Sequence, residues 1–171
     1  MTKIIGITWH WTAGADGIIE LEEDHYNFIT DRKGKTVEGD FPPEAQTPEN
    51  IRKGSQFYAA HTLNANSYRI GHAADAMAGA SERPLVWGKA PLTQIQIKEM
   101  IKFDAGLVKK YGIIVDRRTC LSHAEIEPTL GIKQRNKWDI TCLPGDTQVR
   151  PAVEVGDILR DMLRKAIRGE L

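Results

Sequence analysis

The residues best equipped for chemistry lie between Leu121 and Cys142: His123, Lys137, Asp139 and, at the far end, Cys142. The alternation at Thr119-Cys120-Leu121-Ser122 predicts a short strand that delivers His123 at its end. A loop rich in Pro, Gly and Lys is expected next, too polar to pack in a core. Lys137-Trp138-Asp139-Ile140-Thr141 then reads as extended again. Alternate residues of an extended chain share a face. Lys137, Asp139 and Thr141 would therefore point one way, with Trp138 and Ile140 anchoring the other. An imidazole, a carboxylate and an ammonium group meeting across a loop make half of a zinc site with a cation beside it. A second imidazole is available at His10, where the β-branched run Lys3–Trp11 reads as a buried strand. Ligands on strand ends are held by a rigid sheet, which suits a metal centre.

Positioning such groups needs a sheet with helices around it. Residues 16–25 are expected to form a short helix with Ile18, Ile19 and Leu21 on its apolar side. Residues 26–31 and 36–38 read as the strands of a hairpin turning at Arg32-Lys33-Gly34-Lys35. Residues 40–56, with their prolines, read as an irregular surface loop. Residues 57–61 follow as an extended piece, and 68–78 as a further strand, against whose apolar character His72 and Asp75 count. The clearest helix starts at Thr93, which forms a capping box with Gln96. Ile97, Met100, Ile101, Ala105, Val108 and Tyr111 trace its buried face, and Gly112 stops it. A final packing helix is expected over about 153–168, with Arg164, Lys165 and Arg168 at its C-terminal end.

Composition narrows the function classes. A chain of 171 residues suits one domain, expected here over 1–171 with its core at about 3–145. Lys+Arg and Asp+Glu are both 23, so no net field favours nucleic acid or an anionic membrane. Two cysteines do not make a disulfide framework and read as free thiols. No apolar run approaches the roughly 20 residues of a membrane span. The amino terminus does not have the pattern of a signal peptide.

Five pieces in order carry a family resemblance: His10-Trp-Thr-Ala, His25-Tyr-Asn-Phe-Ile-Thr-Asp-Arg-Lys-Gly, Ala-Ala-His61, Ser122-His123-Ala-Glu-Ile-Glu-Pro and Lys137-Trp-Asp139. Over roughly residues 3–145 the chain resembles the type-2 zinc N-acetylmuramoyl-L-alanine amidases. These include small phage lysozymes of the amidase class and are related to the peptidoglycan recognition proteins. The resemblance implies an α/β fold, a central mixed β-sheet flanked by helices with zinc in a surface groove. It also implies hydrolysis of the amide between N-acetylmuramic acid and the L-alanine of the stem peptide.

Carried over by position, the resemblance makes His10 and His123 ligands of Zn2+, with Asp139 as the third and Lys137 as the catalytic lysine two residues before it. Cys142, just before Leu-Pro-Gly, is the rival third ligand, since some relatives use cysteine. Tyr26 matches a tyrosine placed beside the attacking water. Other relatives use a Glu on the strand near Ile70–Ala73, where this chain has no carboxylate. The His72-Ala-Ala-Asp75 stretch departs from the usual apolar strand there. His61 matches a groove histidine that touches substrate. The expected role is that of a monomeric phage or prophage endolysin, kept in the host cytoplasm until released to the cell wall or periplasm. Its partner would be peptidoglycan, with no nucleic acid or membrane partner. A non-catalytic peptidoglycan-binding module and a bacterial wall-recycling amidase are the alternatives.

Overall fold

The β-branched run near the amino terminus does become a strand, and it is the spine of the molecule. The computed structural model describes residues 3–171. In chain order the elements are β1 (Gly6–Trp11), α1 (Glu20–His25), β2 (Phe28–Thr30), β3 (Thr36–Glu38), α2 (Pro48–Lys53), β4 (Arg69–Ala74), α3 (Gln94–Tyr111), β5 (Cys120–Ser122), α4 (His123–Leu130) and α5 (Ala152–Ile167). The sheet order is β3-β2-β4-β1-β5. β1 runs parallel to both β4 and β5, β2 is parallel to β4, and the β2–β3 hairpin is antiparallel. The result is a mixed five-stranded α/β sheet flanked by helices. Parallel neighbours on both sides bury all six residues of β1.

Alternation along β1 sorts its side chains between two faces. Ile7, Trp9 and Trp11 join the main core, with Ile97, Met100, Ile101 and Ala105 of α3 and Val155, Leu159 and Leu163 of α5. Thr8 and His10, of opposite parity, face the other side. α3 begins and ends as its signals predict: Gln96 N–H donates to the Thr93 hydroxyl, and Gly112 adopts a left-handed φ of 66°. Among the described residues, no helix is long and apolar enough to cross a membrane.

The structure corrects the sequence reading in several places. Residues 40–56 are not an irregular loop: they hold α2, started by Pro48 behind a Thr47 cap, and two short 3-10 turns. Residues 57–61 pair with no strand, and the expected strand at 26–31 shrinks to β2. His72 does not spoil β4. It is fully buried because Asp104 on α3 lies 2.7 Å from Nδ1 and the Thr30 hydroxyl 2.8 Å from Nε2. The expected polar loop after His123 is the helix α4. Pro128 and Gly131 suggest a loop, yet Ser122-His-Ala-Glu125 has the spacing of a capping box, and Ser122 N–H does donate to Glu125 at 2.8 Å. Finally, residues 137–141 are not extended but make a turn. Their backbone groups go elsewhere: the Asp139 carbonyl accepts from Ala124 N–H and the Thr141 carbonyl from Arg150 N–H. Strand parity therefore does not place Lys137 and Asp139 on one face.

Candidate metal centre

Three elements bring three donor side chains to one point. His10 projects from β1 on the face opposite the main core. His123 is the first residue of α4, directly after β5. The turn carrying Asp139 docks on that helix start through the 2.6 Å hydrogen bond from Ala124 N–H to the Asp139 carbonyl. All three side chains are buried. Oδ2 of Asp139 lies 3.0 Å from Nδ1 of His10 and 3.4 Å from Nδ1 of His123. The donor atoms of the three residues lie within 4.8 Å of one another. Two imidazole nitrogens and a carboxylate oxygen match the donor set of a three-ligand zinc site that keeps a fourth position open.

Burial and charge bring His10 and Asp139 to the protonation states a metal requires. Burial lowers His10 to about 4, against the opposing pull of its contact with Asp139. Burial on its own would raise Asp139, but the hydrogen bond from His10, at 3.0 Å, and the charges of His123 and His10 outweigh it and leave the carboxyl at about 2. A neutral His10 and an ionised Asp139 follow at neutral pH.

A groove of about 820 Å³ reaches two of the donors, His123 and Asp139, and its walls include Tyr26, Tyr58, His61, Leu63, Lys137 and Trp138. The Tyr26 ring sits 5.2 Å from that of His10, and burial, then the charges of Asp139 and Glu22, raise its hydroxyl pKa well above the ordinary range. Lys137 is exposed on the rim, where its charge contributes to lowering His10. His61 lines the groove, but both its ring nitrogens already have partners inside the protein. Nε2 donates to the Arg69 carbonyl at 3.2 Å, and Nδ1 lies 2.8 Å from the Thr62 hydroxyl and 3.1 Å from Nε2 of His10. Its ring packs on β4 where Gly71 has no side chain; a Cβ there would sit 2.4 Å from the ring. Cys142 is fully buried in the apolar core, outside the three-donor cluster, and burial pushes its thiol up to about 12.

Two supports escape the sequence reading. Arg160 of α5 is buried and donates to Glu125 and to the Cys120 carbonyl, each at 2.8 Å, tying α5 to both sides of Ser122-His123. Gly156 lets the helix come that close, since a Cβ would lie 2.0 Å from Oε2 of Glu125. Gln134 is the other: its Oε1 lies 2.9 Å from Nε2 of His123. A basic residue on an otherwise apolar helix stripe, Val155-Leu159-Leu163 with Arg160 beside it, is the one sequence signal for the first. Nothing in the sequence marks the second.

No family model matches the chain, and no curated protein matches it. Among solved structures it is similar to the endolysine N-acetylmuramoyl-L-alanine amidase LysCS from Clostridium intestinale URNW, with a TM-score of 0.50 and 17% identity. The match covers 92% of this chain and 84% of that one, so the likeness is one of the overall fold, a mixed sheet flanked by helices.

Proposed function

We propose that this chain is a zinc-dependent peptidoglycan amidase that hydrolyses the bond between N-acetylmuramic acid and L-alanine. The observation that carries the reading is the convergence of His10, His123 and Asp139 beside a groove that His123 and Asp139 line together with Tyr26 and Lys137. The likeness in fold to an endolysin amidase supports it. In this reading the three residues are the zinc ligands, and zinc, when bound, supplies the Lewis acidity that polarises the amide carbonyl and lowers the pKa of water. The Lys137 ammonium, on the groove rim, stabilises the negative charge that develops on the carbonyl oxygen. Tyr26, held protonated by its burial, orients the attacking water, and the proton that this water loses on attack balances the one that the departing amine gains. His61 forms part of the substrate-facing wall. The chain acts as a single domain and a monomer, in the manner of a phage or prophage endolysin released onto the wall.

Digestion of purified sacculi followed by muropeptide analysis tests this. Free stem peptides should appear with the metal-loaded protein and vanish with a chelator. New reducing sugar ends, or full activity after metal removal, would overturn the reading; binding to sacculi without release would leave the groove as a binding module only.

A further inference from the structure

We propose that Gln134 is a positioning residue for His123: it holds the imidazole with its proton on Nε2 and its lone pair on Nδ1, turned toward Asp139. Two acceptors face the ring, Gln134 Oε1 at 2.9 Å from Nε2 and Asp139 Oδ2 at 3.4 Å from Nδ1, and the second, farther one already takes a hydrogen bond from His10 at 3.0 Å. The Gln134 side-chain nitrogen lies 2.9 Å from the Leu63 carbonyl and 3.3 Å from the Ile132 carbonyl. Carbonyls only accept, so the nitrogen must face them and the amide oxygen must face His123. That oxygen lies 2.9 Å from Nε2 of His123. It too can only accept, so this ring nitrogen carries the hydrogen. A neutral ring then has its single lone pair on Nδ1, the nitrogen 3.4 Å from Oδ2 of Asp139.

Gln134 is pinned from both sides of the groove. Its backbone N–H donates to Glu127, on the same helix that begins with His123, at 3.0 Å. Leu63 belongs to the opposite wall, next to His61 and Thr62. The ring orientation of one imidazole thus depends on two loops meeting at a single amide. The consequence for metal rests on the zinc reading above. A histidine ligand is oriented by the acceptor on its other nitrogen, and losing such an acceptor weakens metal affinity by about 10–100-fold.

The test begins on the metal-free protein. Long-range 1H–15N NMR of labelled histidine rings at pH 8, with His123 assigned by a His123→Asn variant, should show hydrogen on Nε2. Gln134→Met, similar in length but without an acceptor, should mix the two tautomers. It should also weaken zinc binding by about 10–100-fold in competition with a chromophoric chelator. Gln134→Glu keeps an acceptor at that place and should restore the Nε2–H form. A wild-type ring protonated on Nδ1 overturns the proposal, as does a Gln134→Met ring that stays in the Nε2–H form. If Gln134→Met fails to fold, the wild-type tautomer decides alone. Zinc binding that is tight in wild type and equally tight in Gln134→Met also overturns it. A wild-type protein with the stated tautomer but no zinc affinity would instead sink the metal reading and leave the role of Gln134 standing.

Discussion

Arg160→Met probes whether α5 braces the turn that presents His123. Arg160 is 1% exposed and its partner Glu125 is fully buried. Methionine fills much of the stem volume but removes the charge, leaving the Glu125 carboxylate with the Ser122 N–H as its remaining bond. Removing one member of a buried ion pair costs about 3–5 kcal/mol, because the other charge stays buried without compensation. For a chain of this size each kcal/mol moves the unfolding midpoint by about 2–4 °C, so a fall of roughly 6–20 °C is expected. The companion variant is Arg160→Met with Glu125→Gln, which takes away both charges and keeps an acceptor for Ser122. It should recover at least half of the loss, and the coupling, that recovery plus the cost of Glu125→Gln alone, should then be at least about 2 kcal/mol. Denaturant and thermal unfolding of wild type, both singles and the double give the full cycle. A single-variant cost below about 1 kcal/mol, or strict additivity, would refute the argument that this pair is a desolvated, mutually dependent brace.

Three other expectations concern the centre itself. Asp139→Ala should abolish tight zinc binding while Cys142→Ser retains it; the reverse outcome, read by metal content after dialysis, would move the third ligand to the thiol. Tyr26→Phe and Lys137→Ala should each slow amide hydrolysis by roughly 100-fold or more with metal content unchanged, and loss of zinc from either would place that residue in the metal shell. Metal-free protein should gain stability as pH rises from about 4 to 6.5, because buried His10 titrates near 4 when folded and near 6.5 when unfolded, so the unfolded chain binds more protons in that window. His61, also lowered by burial, adds to this trend, and the raised Glu22 and Glu125 oppose it from about 4.5 upward. The ceiling from His10 is on the order of 3 kcal/mol; flat denaturation midpoints across the window would show that its burial is relieved without metal.

Local order determines what can be read without coordinates. The β1 run, the capped start and glycine stop of α3, the β2–β3 hairpin and the amphipathic α5 are all legible because each depends on neighbours a few residues away. So are His10 and His123 as strand-end imidazoles, with Asp139 as a nearby carboxylate. What brings Asp139 rather than Cys142 to the histidines is not strand parity. It is a turn whose carbonyl is taken by Ala124 at the start of α4, while Cys142 is drawn into the core. The α4 helix itself, the burial of Arg160 against Glu125, and the placing of Gln134 between Leu63 and His123 are decided by partners far along the chain. Polar side chains accept burial only when such partners are present. Tertiary contact supplies them, and periodicity along the sequence does not encode where they are.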